Sequence, residues 1–202
     1  MRHVPQATMQ DLDLLTYPQA CLAPCDEPYD ANRWLYVPPF YTEYRYVLGT
    51  VGQNPLLCIG LNPSTAKPDK LDRTLQSVER VAAFNGFDSF LMMNLYPQRA
   101  TMPRDMDQAF SDFLHRENLK AFADLLQKTR TVWAAWGAVM KTRPYLSQCV
   151  RGFLDAGSDP GIRWVTAGQK SKDGHPHHPL YLKSQSSFEP FDILAYSQHL
   201  EE

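Results

Sequence analysis

No apolar run in this 202-residue chain approaches the ~18 residues that a membrane-spanning helix needs; the longest is Val132 to Met140. The first twenty residues carry Asp11, Asp13 and scattered polar groups, without the basic-then-apolar order of a secretory signal. Neither sign of charge dominates, 20 basic residues standing against 22 acidic ones for a net of −2, which argues against a bulk electrostatic nucleic-acid binder. Cysteine is scarce: of four, only Cys21 and Cys25 are close in sequence. No second pair completes a four-thiolate site, so free thiols are expected, with Cys58 buried and no metal, iron–sulfur cluster or other cofactor. Neither common glycine-rich phosphate loop occurs. Ser64 lies in Asn-Pro-Ser-Thr-Ala, without the flanking glycines of a nucleophile elbow, and a serine hydrolase is excluded. Internal repeats and low-complexity tracts are absent as well.

What is there is apolar substance. Hydrophobic residues make up 44% and aromatics 12%, enough for a sizeable core and too much for a disordered chain. The length fits one domain, and a soluble, cytoplasmic protein without membrane contact is expected.

Six of the 16 prolines fall in residues 1–39, with Asp26, Glu27 and Asp30. Residues 1–42 therefore read as an irregular N-terminal arm wrapping a single domain over 43–202. An aromatic run (Tyr36, Phe40, Tyr41, Tyr44, Tyr46) leads into an edge strand around 43–50. Beyond residue 50, short apolar runs at Leu56–Leu61, Ser89–Met93, Thr131–Trp136 and Ile162–Ala167 alternate with helical periodicity. The first helix carries Leu71, Leu75, Val78 and Ala82 and stops at Gly86; the second spans 105–128 with a break near His115–Asn118; the third runs to about Gly152. Strands alternating with helices of this length imply an α/β three-layer sandwich around a mainly parallel four-stranded sheet.

Open parallel sheets bind ligands outside the carboxyl ends of their strands. Here those ends lead into Asn62-Pro63-Ser64-Thr65, Asn94-Leu95-Tyr96, Trp136-Gly137 and Gly168-Gln169, the last continuing to His175-Pro176-His177-His178-Pro179. One such asparagine alone would be read as satisfying backbone groups in a turn. Two at equivalent strand ends suggest a carboxamide pair able to read a nucleobase edge. Ser64 and Thr65 read as hydroxyl donors or as a cap for the following segment. The histidine cluster has no carboxylate-rich partner nearby in sequence, and its prolines impose extended geometry, so metal binding is not expected. Its alternatives are a surface loop with incidental histidines or a neutral His178 donating to a developing anion.

Several segments match a known family in order: Leu57 to Ala66, Asp72-Arg73-Thr74, Asn94-Leu95, Ala135-Trp136-Gly137 and His178-Pro179-Leu180-Tyr181. Over about residues 44–183 the chain resembles the domain-of-unknown-function 1643 family, which carries no activity across. A more distant resemblance is to the uracil-DNA glycosylase superfamily, of the mismatch-specific type. It rests on Gly60-Leu61-Asn62-Pro63, Leu91-Met92-Met93-Asn94, Ala135-Trp136-Gly137 and His178-Pro179-Leu180. The loop after His178-Pro179 departs from the small-residue pattern of those enzymes, and no clear apolar wedge stands ready to replace a flipped base.

This second resemblance implies a glycosylase-like fold and hydrolysis of an N-glycosidic bond through an oxocarbenium-like state. By that likeness Asn62 positions the attacking water, His178 stabilises the departing base anion, Asn94 reads the base edge, and Tyr96 or Trp136 stacks on it. Residues 62–104 have a local charge of +2 and residues 161–187 of +3. Arg73 and Arg99 could thus meet phosphates of DNA, RNA or a nucleotide. The competing expectations are a non-catalytic nucleoside-binding domain and a protein-interaction module using the aromatic N-terminal segment.

Overall fold

The computed structural model describes residues 2–200. Its strands are β1 (Trp34–Val37), β2 (Val47–Thr50), β3 (Pro55–Gly60), β4 (Ser89–Asn94), β5 (Thr131–Ala134), β6 (Arg163–Ala167) and β7 (Phe188–Pro190). Its helices are α1 (Tyr17–Leu22), α2 (Arg73–Phe84), α3 (Asp112–Leu125), α4 (Tyr145–Ala156) and α5 (Ile193–His199). The strands form one seven-stranded sheet in the order β1-β2-β4-β3-β5-β6-β7. The expected four-stranded sheet is therefore too small. The four anticipated strands are the parallel centre, and three short antiparallel strands extend its two edges.

Side-chain alternation explains the layering. Leu57 and Ile59 of β3 face the core built with α1, α3, α4 and α5. Leu56 and Cys58 face the other, where Leu75, Val78, Val81 and Ala82 of α2 pack. Strands covered on both faces read as continuous apolar runs. Cys58 is buried in the sheet, as its apolar neighbours suggest, and Cys149 is buried on α4.

Handedness then fixes where the crevice opens. The β3–α2–β4 crossover moves one way along the sheet, and β4–α3–β5 moves back past β3. Both can be right-handed only if α2 lies on the opposite face from α3, which is the observed arrangement. The loop leaving β3 consequently parts from those leaving β4 and β5 at their carboxyl ends, the position at which doubly wound sheets take ligands.

Two expectations need correction. Residues 1–42 are not wholly irregular: they supply α1, held by a Thr16–Gln19 capping box, and β1, which pairs with β2. Met9, Tyr17 and Ala20 lie in the main core, and β2 is covered instead of forming an edge. The aromatic run is largely internal, with Tyr36, Tyr44 and Tyr46 buried, because Tyr44 and Tyr46 hydroxyls bind the Leu15 backbone. That removes most of the surface an aromatic docking module would offer. Met1, Glu201 and Glu202, at the ends of the two expected spans, lie outside the described residues.

α3 starts later than its periodicity suggests, capped by Ser111, and runs unbroken through His115–Asn118. Of the polar residues that hinted at a break, His115, Glu117 and Asn118 are buried, and Asn118 Nδ2 donates to the Asn94 carbonyl at 2.8 Å, pinning the end of β4. On the other face, Ser77 Oγ of α2 donates to the Pro179 carbonyl at 2.7 Å. This fastens α2 to the turn Pro179–Tyr181 that follows His178.

Candidate functional site

A cavity of about 910 Å³ opens where the crossover loops part. Asn62, Ser64, Thr65, Arg73, Asn94, Trp136 and His178 all line it, so seven of the nine residues singled out from sequence converge on one crevice. Tyr96 and Arg99 do not.

Asn62 follows β3 and spends both amide hydrogens on backbone, donating to the Ala100 carbonyl at 2.7 Å and the Pro63 carbonyl at 3.1 Å. Its Oδ1 accepts no hydrogen bond among the described residues and is left as an acceptor on a residue that lines the crevice, the polarity needed to hold a water by its hydrogen. Asn94 ends β4 opposite Gly60 in parallel register and is 1% exposed. Its Nδ2 has no hydrogen-bond partner among the described residues. A side chain at Gly60 would bring its Cβ within 2.8 Å of Asn94 Oδ1, so the glycine makes room for this amide.

His178 stands across the crevice. Its Nδ1 accepts the Leu180 N–H at 3.3 Å, which assigns the ring proton to Nε2. Burial holds this imidazole below the ordinary histidine range, with Asp72 opposing the shift and His177 adding to it. The ring is therefore neutral at pH 7, with an Nε2–H that has no partner among the described residues, on a residue that lines the crevice. Gly137, at φ +76°, backs it closely: a Cβ there would stand 3.1 Å from His178 Cβ.

Of the hydroxyls, Ser64 Oγ pairs with Thr101 Oγ1 at 3.0 Å. Neither Ser64 nor Thr65 caps the next helix, because Asp72 takes that role by accepting the Leu75 N–H. Arg73, the first residue of α2, is exposed at the wall. Trp136 reaches the wall but is nearly all core, its Nε1 donating to Tyr196 Oη at 3.0 Å.

The two exceptions have clear causes. After Asn94 the chain keeps pairing with the β3 exit, Leu95 N–H to the Gly60 carbonyl and Tyr96 N–H to the Leu61 carbonyl. This draws Tyr96 into the core against Tyr145 and Phe110, where its hydroxyl accepts the Ser111 N–H; it cannot stack on a ligand. Arg99 is fully buried behind the 62–66 loop. It donates to the carbonyls of Ser64 and Ala66 and to Tyr36 Oη, and lies 4.3 Å over the Tyr41 ring. It shapes the crevice and does not line it.

Sequence reasoning missed Arg45, which lines the cavity while 1% exposed. Its only signal was a lone cation in Tyr44-Arg45-Tyr46. It also passed over the exposed apolar side chains of Met102, Val139 and Tyr181 at the cavity wall. Among the described residues, no three histidine, cysteine or acidic side chains are grouped to hold a metal ion, and no helix is long and apolar enough to cross a membrane. His175 and His177 instead bond to Tyr196 Oη and the Gln169 carbonyl.

Three partly or fully buried histidines, His115, His175 and His178, are held below the usual range, in each case mainly by desolvation. Their folded pKa values lie below the ~6.5 of an unfolded histidine, so as pH falls the unfolded chain takes up protons first. Stability is then lost as pH drops through about 6.5 and stops falling on this account below the folded values. Urea midpoints at pH 7.5 and 5.5 test this: the lower pH should give the lower midpoint, and equal midpoints would refute it.

Fold and site together define an open-sheet α/β protein with a crevice at its topological switch point. The family model "Protein of unknown function (DUF1643)" matches residues 45–180, about two-thirds of the chain, and the protein belongs to that family. No curated protein matches it.

Proposed function

We propose that the crevice binds a nucleobase and that the protein is a glycosylase-like hydrolase of an N-glycosidic bond in a nucleic acid or nucleotide. The observation that carries this reading is the Asn94 amide, a donor buried at the crevice without a partner. An unsatisfied buried donor costs about 1–3 kcal/mol, a cost that a ligand acceptor would remove. A carboxamide matches the adjacent donor and acceptor of a base edge. Nε2–H of His178 and Oδ1 of Asn62 supply the other two polarities that the chemistry needs.

In the reaction, the C1′–N bond breaks heterolytically and its electron pair leaves with the base. His178 Nε2–H donates to the oxygen where that charge gathers. The cationic sugar is attacked at C1′ by a water that Asn62 Oδ1 orients, and the water's proton passes to solvent. The order of four short motifs shared with the uracil-DNA glycosylase superfamily supports the same reading.

The test is base release, followed by chromatography, from a panel of single- and double-stranded oligonucleotides, nucleosides and nucleotides. Release is expected from at least one member and should be lost in Asn62→Ala and His178→Ala. Binding without release from any member would leave a non-catalytic base-binding domain; no binding at all would overturn the reading. Asn94→Asp, which replaces a donor with an acceptor at constant shape, should weaken the preferred base by about ten- to a hundredfold. Calorimetric titration of base analogues measures this, and an unchanged dissociation constant would remove Asn94 from the recognition.

A further inference from the structure

Arg45 is the second buried donor on the crevice wall without a full set of partners, and it brings a charge. Its Nη1 donates to the Ala66 carbonyl at 3.1 Å, and its Nε has no partner among the described residues. Arg99, directly behind, donates to the same carbonyl at 3.2 Å. Two guanidinium groups thus converge on one backbone oxygen, and neither is among the ion pairs of the described residues. The carboxylate whose charge reaches both is Asp72, and one of its oxygens already accepts the Leu75 N–H. The corner keeps a net positive charge away from water, an arrangement that is costly without an anion. Ser64, Thr65 and Thr74 also line the cavity and bring hydroxyl groups to it.

We infer that this corner takes a terminal phosphate of the ligand, so that the substrate is a free nucleoside phosphate and not an internal nucleotide of a strand. The inference rests on the nucleobase reading of Asn94. Nε belongs to the side-on edge of the guanidinium fork, the edge that grips a phosphate through two parallel hydrogen bonds. A phosphodiester must continue as chain on both sides. A guanidinium only 1% exposed beneath the 62–66 loop offers no such passage, whereas a monoester ends there. The cavity volume of about 910 Å³ lies within the range that encloses small ligands. Asp72 is the one acidic side chain among the described residues that line the cavity, and it forms no ion pair with either cation.

The experiment is calorimetric titration of the full chain with uridine, thymidine, adenosine and guanosine, their 5′-monophosphates, inorganic phosphate, and an oligonucleotide containing each base. At least one monophosphate should bind tenfold or more tightly than its nucleoside, and the oligonucleotide no better than the nucleoside. Arg45→Met should abolish the advantage and Arg45→Lys should keep only part of it, with circular dichroism confirming that each variant folds. Because the wild-type ligand series decides the matter alone, a variant that fails to fold does not block the test. Equal binding of nucleoside and monophosphate, tighter binding of the oligonucleotide, or no binding of any probe would overturn the inference. Asn94-dependent nucleoside binding without a phosphate gain would spare the base reading and sink this one. Arg45-dependent binding of inorganic phosphate without any nucleoside binding would leave an anion site at this corner but overturn the nucleoside phosphate together with the base reading.

Discussion

Replacing Arg99 with methionine is expected to cost the fold about 3 kcal/mol, although the side chain never meets a ligand. The guanidinium satisfies the Ser64 and Ala66 carbonyls and the Tyr36 hydroxyl together. Methionine fills similar volume and bonds to none of them. Ala66 retains Arg45, but the Ser64 carbonyl and the Tyr36 hydroxyl lose the Arg99 bonds in a buried setting, at about 1–3 kcal/mol each. Relief of repulsion between Arg45 and Arg99, which Asp72 offsets only in part, works the other way and keeps the net below the sum of the lost bonds. For a domain of this size, the loss corresponds to a melting temperature lower by roughly 6–12 °C. Arg99→Lys should rescue little, because one ammonium cannot reproduce a planar fork aimed at three acceptors. Thermal and urea denaturation measure both variants; a loss under about 1 kcal/mol would mean that the 62–66 loop is held by other contacts.

The other large effect is on rate. If the crevice cleaves an N-glycosidic bond, His178→Ala should lower kcat by about 10²–10³-fold, the usual consequence of deleting one donor aimed at a developing anion. KM should move little, because Asn94 and not His178 meets the ground-state base edge. His178→Gln, which keeps an N–H donor, should recover part of the loss. A neighbouring control is His177→Ala, which lines the same cavity but has its Nδ1 committed to the Gln169 carbonyl; it should stay within a fewfold of wild type. Equal losses in the two alanine variants would show that the loop, and not a particular imidazole, matters.

The parallel centre of the sheet was legible because β3 and β4 are buried at every position and carry unbroken apolar runs, Leu56 to Ile59 and Phe90 to Met93. Only strands buried on both faces look like that, and the helices between them carry plain periodicity. The antiparallel edges were not. β7 is Phe188-Glu189-Pro190, with no pattern to read, and β1 is four residues lodged among prolines. The convergence of Asn62, Asn94 and His178 followed from one rule about strand ends. Tyr96 and Arg99 defeated the same rule because sequence adjacency to a strand end does not say which way the next side chain turns. Two extra backbone bonds after Asn94 took Tyr96 inward. Arg45 stayed invisible for the opposite reason: nothing near it in sequence told that a cation in an aromatic run would end up on a cavity wall.

The bond from Ser77 to the Pro179 carbonyl has a mechanical consequence. It makes α2 and the His178 loop a single stiff jaw, further braced where Asn85 Nδ2 donates to the Ser186 carbonyl and Asn85 Oδ1 accepts the Phe188 N–H. The facing wall is built from Thr101–Pro103 and Ala138–Val139, beside short 3-10 turns whose starts have no side-chain cap. A molecule entering the crevice would therefore press on the α2–His178 side against a surface tied at three points, like an anvil.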